Sequence, residues 1–139
     1  MKINVKSVIT SGLVSGLIIS LIGICMVPLV GNDMDVALAS RGLPTLSNMA
    51  MVYFSMMPLV NGIFLMLLYA VAQKLFGSSI KTILIVSLIY WFLTYFSTNV
   101  SMVVYGFLPI RLTIIGTAWG LGELIIAGIV GSKIYKEIK

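Results

Sequence analysis

The chain has 139 residues, of which 60% are hydrophobic and only 9% charged, with a formal net charge of +5. An ordinary soluble domain carries about 25% charged residues, so that class is excluded. The chain has no histidine and one cysteine, Cys25, which excludes an internal disulfide, Cys/His metal clusters and Ser-His-Asp chemistry. The commonest general base and the usual haem ligand are missing with it. No metal and no cofactor is expected. The basic residues are spread over flanks and loops, where they act as topological signals; nucleic-acid binding needs a clustered patch.

Four apolar runs, at 7–31, 46–72, 80–107 and 112–131, make up nearly the whole sequence. Each reaches the length of ~20 residues that crosses a bilayer as a helix. The expected fold is all-α: a polytopic membrane protein formed by one four-helix transmembrane domain over 1–139.

Span one follows Lys2 and Lys6 and carries a stripe of small residues, Gly12, Gly16, Ser20 and Gly23, with Ser11 and Ser15 beside it. A competing reading makes it a signal peptide, with Lys2 and Lys6 as the positive region and Ala37-Leu38-Ala39 as the cleavage pattern. The apolar stretch is too long for that, about 23 residues where a signal core has 7–15. The connection at 32–45 is the longest. Asn32 or Asp33 can cap a short interfacial helix over 34–40, which Gly42 would stop, and Pro44 and Thr45 then start span two. Span two is crowded with Met49, Met51, Met56, Met57 and Met66, read as gap-filling apolar residues because no second soft ligand type accompanies them. A tight turn around Gly77 leads to span three, which shows a polar stripe of Ser87, Tyr90, Thr94, Ser97 or Thr98, Ser101 and Tyr105. Tyr53, Tyr69, Tyr90, Trp91, Tyr95 and Tyr105 divide between interfacial anchors and deeper positions. A turn at 106–111, with Pro109, precedes span four and its small residues Gly116, Gly120, Ala127 and Gly131.

Orientation follows from the short loops. With four crossings, Lys2, Lys6, Lys74, Lys81, Lys133, Lys136 and Lys139 fall on one side, and only Arg41 and Arg111 on the other. Both termini are therefore expected in the cytoplasm, and the chain in a cytoplasmic-type cell membrane. The small-residue stripes of the antiparallel spans one and four have the spacing that lets helices approach closely. Gly12 and Gly16 are expected to pack against the face of Gly116 and Gly120.

One residue stands out chemically. Glu123 lies in span four, about ten residues before Lys133 and hence ~15 Å along the helix, near the middle of a ~30 Å hydrocarbon core. An acid there costs ~2.5–3.5 kcal/mol on insertion scales and normally faces the bundle interior or a water-filled cavity. Arg111, the nearest cation outward, is about 18 Å away along the same helix. Ser20, Asn61, Thr94, Ser97 and Thr98 fall at a similar depth on the other spans, and Pro58 frees the carbonyl of Phe54 one turn from Asn61. Together these groups describe a midplane site for a proton, a cation or a polar substrate. The bland alternative is that the same residues glue helices together, at about 0.6 kcal/mol per bond.

In size, span count and a single intramembrane acid the chain resembles small multidrug transporters. Their essential acid is in the first helix, whereas span one here has none, so no site residue carries over. Three functional readings are open. The first is a transporter or channel component working through Glu123. The second is a non-catalytic accessory subunit whose small-residue faces engage a second copy or a larger membrane protein. An integral-membrane enzyme comes third, since nothing but Glu123 could serve as acid or base. The expected partners are the lipid bilayer and other membrane proteins, with no nucleic acid.

Overall fold

The computed structural model of the protein describes residues 3–44 and 47–137. It contains four helices long and apolar enough to cross a membrane: α1, Val5–Ala39; α2, Asn48–Phe76; α3, Ile80–Val104; and α4, Ile110–Ile134. Lys2, Lys139, Thr45 and the expected start of span two at Leu46 lie outside the described residues.

Side-chain caps start three of the helices. Asn4, Ser47 and Ser79 each accept a bond from the backbone N–H three residues on, at 3.2 Å. This is how an N-terminal turn satisfies one of its free donors. The segment expected as a separate short helix over 34–40 is instead the last part of α1. No breaker separates the two, because Pro28 lies upstream and is accommodated within the helix, so Asn32 and Asp33 do not act as caps. The stop is at the expected residue: Gly42 adopts φ +67° and Leu43 N–H reaches back to the Leu38 carbonyl at 3.1 Å. That i→i−5 bond around a left-handed glycine closes the helix in the Schellman manner. Gly77, at φ +79°, ends α2 in the same half of φ space. In α3 a π turn occupies Phe92–Phe96.

Alternating direction brings both described ends of the chain and the α2–α3 turn together. Asn4 donates to the Lys136 carbonyl at 2.9 Å, Lys136 N–H donates to Ser7 Oγ at 2.7 Å, and Lys74 is ion-paired with Glu137. We call this the terminal end. At the opposite, loop end, the Arg41 guanidinium donates to the Gly106 carbonyl and Arg111 pairs with Asp33 at 3.2 Å. Around the bundle, α1 neighbours α2 and α4, and α3 neighbours the same two; α2 and α4 also meet across the centre, whereas the described backbones of α1 and α3 stay apart.

The surface is unlike that of a water-soluble bundle, and polar groups share the interior with the apolar core. Ser11, Ser15 and Ser87 are fully buried, while Leu21 is 65% and Phe76 72% exposed. Burial is also uneven along the axis. Leu65, Met66, Ile83, Leu124 and Ala127 fill the terminal half. The loop half has only a small cluster of Val30, Ala37 and Leu112 joining α1 to α4. The first turns of α2 make little contact: from Ser47 to Met56 every residue is exposed except the half-buried Ala50.

The closest approach in the bundle is between α1 and α2. A Cβ on Gly12 would lie 2.5 Å from Ile63 Cα, and one on Gly16 would lie 2.5 Å from Leu59 Cα. A Cβ on Gly62 would strike the backbone of both Gly12 and Gly16. The face of Gly12 and Gly16 thus meets α2, where span four was expected. Gly62 explains the difference, because it supplies the notch that lets two backbones touch; a single-stripe reading of span two passes over it. The expected contact of α1 with α4 is present on the other part of the stripes: Ser15 Oγ donates to the Ala127 carbonyl at 3.0 Å, and Gly131 faces Ser15 and Met66. Gly120 meets the ring of Tyr95 on α3, and Gly116 has open space before it. Gly62→Leu should therefore lower stability in detergent by at least the ~1–3 kcal/mol typical of overpacking. Gly116→Ala should leave it unchanged or raise it by up to about 1 kcal/mol, the helix-propensity gain. Thermal unfolding followed by circular dichroism separates the two, and equal melting temperatures for Gly62→Leu and the parent would mean that α1 and α2 do not cross there.

Candidate functional site

Glu123 is buried at 5% exposure on α4, between α1 and α3. Its two oxygens face different helices. Oε1 accepts a hydrogen bond from the Tyr95 hydroxyl of α3. Oε2 is turned toward α1 at Gly23, where an added Cβ would come within 3.9 Å of it. An acid so placed needs a donor, because an unmet polar group away from water costs about as much as a lost hydrogen bond or more.

Tyr95 reaches the acid through the π turn and a glycine. In Phe92–Phe96 the backbone takes an extra residue per turn, and Ser97 stabilises it by bonding the Phe92 carbonyl with both its N–H and its Oγ, the latter at 2.9 Å. Stacking of Phe92 on Phe96, with ring centroids 5.1 Å apart, holds the outer face of the same turn. On α4, Gly120 stands one turn before Glu123, and the Tyr95 ring occupies the space its side chain would need. Any larger residue at 120 would push Tyr95 off the carboxyl group.

Hydrogen bonds between helices fix the surrounding frame. Trp119 Nε1 donates to the Ile22 carbonyl at 3.1 Å and ties α4 to α1. Trp91 Nε1 donates to the Thr117 carbonyl at 2.7 Å, and Asn99 Nδ2 to Thr117 Oγ1 at 2.9 Å, which ties α3 to α4. Tyr90 donates to Asn61 Oδ1 at 3.0 Å and joins α3 to α2. Toward the terminal end the interior is shut: Ser87 Oγ donates to the Leu124 carbonyl at 3.3 Å, and Leu65, Met66 and Leu124 are fully buried. Toward the loop end Thr117 and Gly116 are only half-buried. Glu123 sits where the sealed half of the bundle gives way to the looser one.

The polar residues picked out from the sequence do not all converge on the acid. Asn61 is occupied by Tyr90, and Thr94 Oγ1 bonds its own helix at the Tyr90 carbonyl, 2.7 Å away. Ser20 is half-buried on α1, with no side-chain hydrogen bond among those of the described residues, and Thr98 is exposed. Tyr95 is the partner that sequence reasoning missed. A regular 3.6-residue period puts Thr94 and Thr98 on the polar stripe and leaves Tyr95 among the aromatics; the π turn shifts that assignment by a residue. The pairing of Ser97 with Phe92 five positions back is the only local sign of it. Among the described residues no lysine or arginine pairs with Glu123 and no cluster of His, Cys, Asp and Glu could hold a metal; Cys25 is exposed.

Chemically, the arrangement is a carboxyl and a phenol sharing one hydrogen bond in an apolar shell, with the second carboxyl oxygen facing a glycine. It can hold or exchange a proton, or accept a bond from a small polar group at Oε2. Searches against protein-family models, curated proteins and solved structures return no match to this chain.

The pairing is measurable by a double-mutant cycle. Tyr95→Phe and Glu123→Leu, which has no acceptor, should each destabilise the protein, Tyr95→Phe by about 1–3 kcal/mol for the acceptor left without its donor. Their coupling energy should be about 0.5–3 kcal/mol, the range for residues in contact. Strict additivity of the two effects would show that the hydroxyl and the carboxyl group do not interact.

Proposed function

We propose that the protein is a multi-pass component of a cytoplasmic-type membrane, with both termini in the cytoplasm, in which Glu123 and Tyr95 form a proton-binding site of a transporter or channel. The observation that carries this reading is the buried Glu123 carboxyl group, bonded to Tyr95 and lacking a cationic partner among the described residues. An intramembrane acid on a bundle interior is expensive to keep and marks ion and proton pathways more often than it marks packing. A proton fits better than a larger solute, because the Tyr95 ring fills the space over Gly120 beside the acid.

The uneven packing gives the site a direction. Buried side chains close the path from Glu123 toward the terminal end, while the loop half is loosely filled. With Lys6, Lys74, Lys81, Lys133 and Lys136 at the terminal end and Arg41 and Arg111 at the other, the positive-inside rule makes the loop half the outward one. Glu123 then exchanges protons with the outside in this conformation, and passage inward requires the terminal half to loosen around Ser15, Ser87 and Leu124.

A second reading, an accessory subunit, is favoured by one observation. The first turns of α2 are exposed around their circumference, including Asn48 and Ser55, which suits a helix that leans on another protein.

Reporter fusions at Gly77 should read cytoplasmic and at Ser40 external; a cytoplasmic signal at Ser40 would overturn the topology. For function, purified protein in liposomes loaded with a pH-sensitive dye is given a potassium-valinomycin potential. The parent should carry a proton flux that falls at least tenfold in Glu123→Gln and less in Tyr95→Phe, with folding retained. Equal flux in Glu123→Gln and the parent sinks the proton-site reading. Absent flux in the parent alone, with recovery when a co-purified membrane protein is added, favours the accessory one.

A further inference from the structure

The loop half of α2 stands clear of α3. Toward the loop end Asn61 is the last residue of α2 to bond α3, and no Cα of α2 comes within 8 Å of any in Phe92–Val104. On α4, Gly116 faces open space, although Thr113 and Gly120 on the same stripe are buried. The parting begins at Pro58. Proline has no N–H and crowds the carbonyl four residues back, so the Phe54 carbonyl loses its helical donor and the helix kinks there. The next residue, Leu59, lies on Gly16 in the tightest crossing of the bundle, which fixes α2 up to that point.

Two registers show what the free half fits. Trp91, Tyr95 and Asn99 all bond α4. Tyr90, Thr94 and Thr98 each stand one residue earlier, about 100° round the helix, on the side where Tyr90 bonds Asn61 of α2. The residue inserted by the π turn makes the eight steps from Tyr90 to Thr98 two turns, and the seven from Asn61 to Phe54 are two turns as well. Thr98 and Phe54 are therefore at one level on facing sides. The Thr98 hydroxyl is exposed and makes no hydrogen bond among those of the described residues, so it can supply the donor that the Phe54 carbonyl lacks. The second register is with α4, which runs parallel to α2. Met66 lies against Gly131. Eight residues back along each helix, Pro58 is level with Glu123; fifteen back, Met51 is level with the open space at Gly116.

We infer that α2 from Asn48 to Met57 is a lid hinged at Pro58. It swings onto α3 and α4, brings the Phe54 carbonyl to the Thr98 hydroxyl, and covers the open space at Gly116 on the loop side of Glu123. The lid deepens the proton-site reading, on which its consequence for Glu123 rests: closed, it cuts the carboxyl group off from the loop end.

The test uses the full chain in liposomes, with Cys25→Ser to remove the native thiol. Three turns from the Asn61–Tyr90 bond, the closed register pairs Ala50 with Met102. In the open form their Cα atoms are beyond the reach of a disulfide, about 7 Å. Ala50 is half-buried and Met102 exposed, so cysteine at either leaves the fold intact. Copper-phenanthroline should join Ala50→Cys to Met102→Cys within one chain at least tenfold faster than Val52→Cys to Met102→Cys, because Val52 is on the opposite face of the lid. Thr98→Val should slow the first crosslink threefold or more, and Thr98→Ser should not. Once oxidised, the first pair should label at Glu123 with dicyclohexylcarbodiimide at least tenfold more slowly, and dithiothreitol should restore the rate. Crosslinking no faster than in the control pair, or unchanged by Thr98→Val, overturns the inference. Labelling that is absent before oxidation, or equal before and after it, does so too. Neither readout uses proton flux, so the lid and the proton-site reading fail separately.

Discussion

The contact on which this bundle depends is the crossing of α1 and α2 at Gly12, Gly16 and Gly62. Three missing side chains let two backbones touch, and the remaining helices are arranged by that fact. Once the first two helices are clamped together, α1 has its Ser15 side left for α4, where the hydroxyl finds the Ala127 carbonyl. α3 then closes the ring between α4 and α2, on the side of the bundle away from α1. For helices apolar enough to cross a bilayer, burying hydrophobic area would gain little there over leaving it exposed to lipid, and dispersion contacts and hydrogen bonds between helices would hold the bundle. The closest backbone contact is accordingly built from glycine, and serine joins α1 and α3 to α4.

The acid follows from this arrangement. Gly120 and Gly23 clear space on either side of Glu123, one for the Tyr95 ring and one beside Oε2. Small residues therefore have two distinct jobs in the molecule. At the first crossing they bring backbones together, and around Glu123 they make room for a side chain and leave one oxygen uncrowded. Tryptophans 91 and 119 brace the frame from opposite sides, each spending its single N–H on a carbonyl of a neighbouring helix.

Much of the fold was legible in the sequence because the signals were long. Four runs of apolar residues, separated by loop residues such as Gly42, Gly77 and Pro109, map onto four helices whose ends move by a few residues, except that α1 runs on to Ala39. The burial of Glu123 was also legible, since an acid in an apolar run has few places to go. What could not be read was which helix meets which. Gly12 and Gly16 fit a partner on either neighbour, and the choice rests on Gly62, a single residue in a span dominated by methionine. Tyr95 was hidden for a different reason: periodic reasoning assumes a constant turn, and α3 does not have one.

The wide turn in α3 carries a mechanical consequence. A π turn is one residue inserted into an otherwise regular ladder, and such turns are frequent at functional sites. The part of α3 before the turn is pinned to α4 by Ser87 and Trp91 and to α2 by Tyr90, while the part beyond it is tied to α4 by Asn99. Displacing the insertion past Tyr95 would rotate that residue by about one helical step, roughly 100° about the axis, and shift it by about 1.5 Å. The phenol would swing off Gly120 and the carboxyl would lose its donor, while the bonds at Ser87 and Tyr90 stayed in place. The turn thus joins the two parts of α3 at the residue that carries the donor Glu123 needs.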